Sequence, residues 1–196
     1  MIKDNFIVLS KIMDEFIDIV NEEGIFTGEI RLKSEAHKLG LYHSSVHIWL
    51  YTYKGEVLIQ KRALDKDTYP GLWDISVAGH IGTGESPENA ALREIQEEIG
   101  YTIASADLEF IGKYLAEKKP NPVIIDNEFH YIYLTRLTKS IKDLKIQKEE
   151  VHSIKLIPLN LLKKELLEPI KKKEYVPHDV DYYDFVLNEI ENRFNQ

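Results

Sequence analysis

The chain has 196 residues and a formal net charge of −8 at pH 7, enough length for one well-buried domain with an extension, and an acidic balance that argues against a nucleic-acid backbone as partner. It contains no cysteine, which excludes disulfides and thiolate chemistry. No apolar run reaches membrane-spanning length and the N-terminus, MIKDNFIVLSKIMDE, is too charged for a signal peptide, so a cytoplasmic protein without membrane contact is expected.

Residues 4–14 read as either a short amphipathic helix or an irregular lead-in. EFIDIV and IFTGEI, on either side of NEEG, predict a hairpin with its turn at residues 21–24. KSEAHKL (33–39) predicts a short helix stopped by Gly40. VHIWLYT and EVLIQKR predict a second hairpin around Tyr53, Lys54 and Gly55. LDKDTYPG is a polar loop, and WDISVAG is a short strand that delivers Gly79. Further on, LEFIGKYLAE and EFHYIYLTRL predict strands, separated by a loop over 116–127 that contains two prolines. EVHSIKLIPL predicts a strand whose Pro158 leads into the helix NLLKKELLEPI. Residues 179–194 close the chain as an amphipathic helix with Tyr183, Val186, Leu187, Ile190 and Phe194 on one side. Mixed strands with one central helix and helices at the end make an α/β or α+β sandwich.

The chemistry concentrates in GHIGTGESPENAALREIQEEIGY, residues 79–101. A glycine-rich loop leads to Ser86 as N-cap and Pro87 at the first helical position, and Gly100 stops the helix. Leu92, Ile95 and Ile99, with Ala91 beside them, give an apolar face. Glu94, Glu97 and Glu98 stack their carboxylates on another face. Such a cluster is either a solvated acidic surface or a seat for a divalent cation. Hard oxygen donors suit Mg²⁺ or Mn²⁺ beside a substrate phosphate.

The same residues resemble the Nudix box. Gly79, Glu85, Arg93, Glu94, Ile95, Glu97, Glu98 and Gly100 match at its spacing, and Tyr101 departs from its final aliphatic position. The resemblance implies a mixed sheet between helices, with the box as loop–helix–loop. It implies a pyrophosphohydrolase in which Glu94, Glu97 and Glu98 bind Mg²⁺ or Mn²⁺ and Arg93 orients a glutamate. One domain over 1–196 is expected: an N-terminal extension and hairpin (1–30), a Nudix core (31–160) and a C-terminal helical part (161–196). The partner is a small-molecule diphosphate, and a homodimer is compatible with the sequence.

Beyond the box, EAHKLGLYHSSVHIWLY, LIQKRALDKDTYPGLWDISVAGHIGTGE and DNEFHY resemble the branch of the family related to isopentenyl-diphosphate isomerase. That resemblance implies a metal held by His37, His43 and His80 with Asp126 and Glu128. It also implies a diphosphate grip by Arg62 and Lys66, the arginine binding phosphate oxygens with two prongs. Lys61 is expected on the opposite sheet face, and Trp73 in the core.

Three chemistries follow. In the first, metal-dependent hydrolysis of a diphosphate, Glu97 and Glu98 are ligands and Glu94 is a ligand or base; Glu149 and Glu150 are alternative bases. The second is isomerisation of a prenyl diphosphate, which in the isomerase family uses a cysteine and a glutamate. Glu128 matches the glutamate, but Ala78 stands at the cysteine's position and cannot transfer a proton. The third is a non-catalytic module that senses a nucleotide or metabolite; the intact box argues against it.

Overall fold

The structure is a computed structural model and describes residues 14–194. It has nine strands and four α-helices there. β1 (Phe16–Val20) and β2 (Phe26–Leu32) form a separate antiparallel hairpin, followed by α1 (Lys33–Leu39). β3 (His43–Tyr51), β4 (Glu56–Arg62), β5 (Trp73–Asp74) and β6 (Val77–His80) lead into α2 (Pro87–Ile99). β7 (Glu109–Asn121), β8 (Ile124–Arg136), β9 (Val151–Pro158), α3 (Leu159–Leu167) and α4 (Val180–Phe194) complete the chain. The main sheet runs β5-β4-β3-β8-β7, with β6 added beside β3 and β9 beside β4. β3 and β8 are parallel and the other named pairs antiparallel, so the sheet is mixed.

Alternation along β3 sorts the two faces. Val46, Ile48 and Leu50 face α2 and pack with Ala91, Ile95 and Ile99. Trp49 and Tyr51 face the other way, against Tyr182, Tyr183, Val186, Leu187 and Ile190 of α4. The sheet is therefore enclosed between helices, as the sequence pattern required.

β3 and β4 meet at Tyr51 and Val57 and then diverge. The expected strand over 73–79 is split for that reason. Its first part pairs with β4, Ile75 and Ser76 cross over, and its second part pairs with β3. The fully buried Ser76 hydroxyl accepts from Leu50 N–H and donates to Leu58 C=O, replacing the ladder bonds lost where the strands part.

The expected loop over 116–127 is also different. β7 and β8 run on as a long hairpin, closed where Asn121 pairs with Ile124. The Asn121 side chain accepts from the N–H groups of Val123 and Ile124, an Asx turn that leaves Pro122 without a ladder role. Pro120 is tolerated because β7 is an edge strand. The helix expected over 160–170 stops at Leu167, before Glu168 and Pro169. Residues 4–13 lie outside the described residues. Tyr182, absent from the expected buried face of α4, is buried with it.

Candidate active site

A cavity of about 250 Å³ opens at the sheet split, lined by α2 on one side and by residues 176–178 ahead of α4 on the other. Its first side is built locally. Ser86 Oγ accepts from Asn89 N–H to start α2, and Gly100 ends it in the left-handed region at φ 62°. Between them Glu94 and Glu98 turn inward with the apolar stripe and are buried, while Glu97 stays exposed. Gly79 allows this: a Cβ there would lie 2.0 Å from Glu94 Cδ, so only a glycine lets β6 pass the helix at this point.

Arg93 organises the carboxylates. Its Nε and Nη2 donate to the two oxygens of Glu85 (3.0 and 2.9 Å), its Nη1 donates to Glu94 (2.6 Å) and Glu97 (3.1 Å), and Nη2 also reaches the carbonyl of His80 (3.0 Å). Gly82 N–H donates to Glu85 as well (3.1 Å). Burial pushes the Glu94 carboxyl up to about 7 against the pull of Arg93. Burial, with Glu94 and Glu150 nearby, pushes Glu98 well above the usual range, although Gln60 donates to it (3.0 Å). Buried carboxyls in this state are poised to accept a cation in place of protons.

Across from them, Lys66 pairs with Glu150, and both line the cavity. Glu149 is exposed and outside it. Arg62 also lines the cavity, with part of its fork committed to the protein. Nη1 donates to the buried Asp74 (3.0 Å), Nε to the carbonyl of Thr68 (3.0 Å) and Nη2 to the Thr68 hydroxyl (3.1 Å). These three bonds tie the 63–72 loop to Asp74 and leave two of the five N–H groups of Arg62 for the expected contact with phosphate. Lys61 stacks over Trp73 at 5.7 Å, away from the cavity, and Trp73 packs against the core on the α4 side.

The second side of the cavity gathers distant segments. His37 comes from α1, His43 from the start of β3, His80 from the end of β6, and Asp126 and Glu128 from β8. One ligand atom each from His37, His43, His80 and Glu128 fall within 4.8 Å of one another. Glu128 Oε1 lies 3.2 Å from His80 Nε2, 3.4 Å from His43 Nε2 and 3.8 Å from His37 Nε2; Asp126 Oδ1 is 3.4 Å from His37 Nε2. His43 Nδ1–H donates to the carbonyl of Leu41 (2.9 Å), which turns its Nε2 lone pair toward the cluster.

His80 Nε2 and Asp126 Oδ1 are buried without a hydrogen-bond partner. Burial holds the His80 imidazole down to about 3, so it is neutral. Burial and the adjacent Glu128 push Asp126 up. Burial acts on Glu128 too, but the imidazoles of His130, His37, His43 and His80 around it hold it well below the usual range. The orphaned Nε2 of a neutral His80, two further imidazoles beside it and the Glu128 carboxylate fit a divalent cation such as Mn²⁺ or Zn²⁺.

The sequence reading missed a third group. His47, His130 and His178 line the cavity, backed by Tyr182, Ser45 and Asp74. With them, six of the chain's seven histidines gather here, and the remaining one, His152, is exposed. His47 sits in register with Ala78, two positions from Ser45 on the same strand face. The i, i+2 run of His43, Ser45 and His47 was the available signal. The strand pattern carried it without showing what lay opposite.

The loop, the box helix and the sheet split define a class. The NUDIX domain family model matches residues 41–178. The chain belongs to the Nudix family, hydrolases that act on diphosphate bonds in general. It is 37% identical over 176 residues to Nudix hydrolase 3 of Arabidopsis thaliana, an alignment that spans 86% of this chain and 22% of that protein. An uncharacterized Nudix hydrolase of Clostridium acetobutylicum is 31% identical over 200 residues, spanning 89% of this chain and 96% of the relative. The isopentenyl-diphosphate Delta-isomerase of Escherichia coli is 33% identical over 129 residues, with 65% of this chain and 70% of that enzyme aligned. A crystal structure from Deinococcus radiodurans shares the fold with a TM-score of 0.58 at 21% identity, covering 83% of this chain and 100% of that one. No helix among the described residues is long and apolar enough to cross a membrane.

Proposed function

We propose that the protein hydrolyses a diphosphate bond of a small molecule with the help of a divalent cation, Mg²⁺ or Mn²⁺, a water attacking phosphorus. The observation that carries this reading is the set Glu94, Glu97 and Glu98 beside a cavity, with Arg93 bound at once to Glu85, Glu94 and Glu97. Glu94, Glu97 and Glu98 hold the cation, which supplies charge neutralisation at the phosphoryl oxygens. Arg93 fixes the loop and two of the glutamates in one geometry, so little rearrangement is needed when substrate arrives. Glu94 or Glu150 takes the proton of the attacking water. Lys66 gives up Glu150 to meet a phosphate oxygen. A screen of diphosphate compounds for phosphate release, with Mg²⁺ or Mn²⁺ and with EDTA, tests the reading. Turnover that survives EDTA would overturn it.

The cluster of His37, His43, His80, Asp126 and Glu128 favours a second reading, chemistry of the isomerase type. Against it, Ala78 lines the cavity where the thiol is expected, and the chain holds no other cysteine. Incubation with isopentenyl diphosphate in heavy water is expected to leave the substrate without deuterium; incorporation would revive the isomerase.

A further inference from the structure

The wall of the cavity toward α4 consists of His47, His130 and His178, none of which belongs to the two cation-binding sets above. Each ring is held from behind through one nitrogen. His47 Nδ1 meets Tyr182 Oη (2.7 Å), His130 Nδ1 meets Ser45 Oγ (2.7 Å), and His178 Nε2–H donates to Asp74 (2.9 Å). The second nitrogen of each ring has no hydrogen-bond partner among the described residues. Side chains locked by packing and by a rear hydrogen bond are the mark of a preorganised binding surface.

The proton on His47 can be placed. Trp49 Nε1–H donates to the Tyr182 oxygen (3.0 Å), so His47 Nδ1 is the acceptor within reach of the Tyr182 hydroxyl proton. A buried hydroxyl without an acceptor is strongly disfavoured. Tyr182 therefore donates to Nδ1, and His47 presents an N–H at Nε2. An N–H has no lone pair for a metal. His47, His130 and Glu128 do bring one nitrogen or oxygen each within 4.8 Å of one another, but with Nδ1 taken by Tyr182 and Nε2 protonated His47 has no lone pair to give a metal, and it stacks on His130 at 3.7 Å between centroids and 18°. The buried carboxylates Asp74 and Glu128 beside the wall oppose a further anion there. What fits is an uncharged group rich in hydroxyls, which accept from the His47 N–H and donate to the free nitrogen of His178. A hydrocarbon tail would desolvate three imidazoles and satisfy none of them.

We propose that His47, His130 and His178 form a subsite for a hydroxyl-bearing, sugar-like group attached to the diphosphate, and that they select polyhydroxylated substrates over prenyl-type ones. The inference rests on the diphosphate reading above for the anchoring end of the substrate.

Two five-carbon probes isolate the feature: ribose 5-diphosphate and isopentenyl diphosphate carry the same anion on a hydroxylated and a hydrocarbon skeleton. Their affinities are measured by calorimetry with Mg²⁺ in the Glu97→Gln background, where turnover is suppressed. The ribose compound is expected to bind at least tenfold more tightly. Adding His47→Phe, which keeps a stacked ring but removes the donor, should narrow that ratio by about tenfold, and Tyr182→Phe should narrow it by less. Circular dichroism verifies that both variants are folded. Equal or tighter binding of isopentenyl diphosphate, binding of neither probe, or a ratio unmoved by His47→Phe would overturn the subsite. So would loss, in His47→Phe, of a divalent ion that the parent chain retains. A wild-type chain that hydrolyses no diphosphate would refute the hydrolase reading, while the ratio of affinities would still decide this one.

Discussion

At the carboxylate end of the cavity, Glu85, Arg93, Glu94, Glu97 and Glu98 come from one loop and one helix, and a single arginine holds three of the glutamates. At the histidine end, six imidazoles arrive from α1, β3, β6, β8 and the segment before α4, and each of several rings has its own orienting partner. The first end is set by helical repeat, so its geometry survives as long as α2 does. The second depends on the register of β3 against β6 and β8, where Ser45 is opposite His80 on one side and His130 on the other. Damage should therefore spread differently: a change at the carboxylate end falls on turnover, and a change at the histidine end falls on selectivity and on the response to pH.

The largest expected effect breaks the carboxylate end directly. Glu97→Gln or Glu98→Gln should lower kcat by a hundredfold or more, the scale of losing a group that stabilises transition-state charge. The same assay with chelator should show no turnover, restored by Mg²⁺ or Mn²⁺. Unchanged kcat in both variants would move the chemistry to the histidine end.

Next comes the residue that holds Asp74, the partner of His178, at the histidine end. Arg62→Ala leaves the buried Asp74 without its guanidinium, and breaking such a pair costs about 3 kcal/mol. For a chain of this size that is a fall in Tm of about 10 °C. Burial raises Asp74, but His178, Arg62 and the N–H of Ile75 hold it well below the usual carboxylate range. Its contribution is thus present above the unfolded pKa and lost as pH falls through the lower folded one. A Tm change of a degree or two with a large loss in kcat/KM would instead make Arg62 a substrate contact.

Gly79→Ala sharpens the comparison from the strand side. The added methyl must displace Glu94 or β6, with an expected loss of about 2 kcal/mol in chemical denaturation and a fall in kcat. Normal kcat with intact stability would show that Glu94 can move without consequence.

The smallest effect concerns pH. Burial, with His130 and His178 beside it, holds His47 well below the ordinary histidine range, so the folded protein keeps it neutral while the unfolded chain takes up a proton below about pH 6.5. Stability from this group is full above that pH and falls as pH drops. The slope approaches about 1.4 kcal/mol per pH unit. His47→Phe should gain on the wild type by up to that slope between pH 6.5 and 5.5 in urea titrations. Parallel stability curves for the two proteins would contradict it.

Much was legible because it is local. The first hairpin, the helix stopped at Gly40, the box helix with its Ser86 cap and Gly100 stop, and the carboxylates at helical spacing all follow from repeats of 2.0 and 3.6 residues and from turn chemistry. The resemblance to the isomerase branch brought His37, His43, His80, Asp126 and Glu128 together as one set, and the structure draws four of them around a common point. Sequence spacing carries no information about that convergence.

Tertiary structure decided the rest. Prolines at 120 and 122 argue against strand wherever a central position must donate, and only the sheet order reveals β7 as an edge. The strand over 73–79 divides because two partners diverge, which no window of that segment contains. Arg62 matched a phosphate grip in sequence, while Asp74 and Thr68, both downstream of it, take three of its N–H groups. His47, Tyr182 and His178 meet across more than 130 positions. Local pattern determines which face a side chain occupies, because backbone geometry repeats along each element. What stands opposite that face depends on sheet register and helix docking, and these are settled by burial across the whole fold.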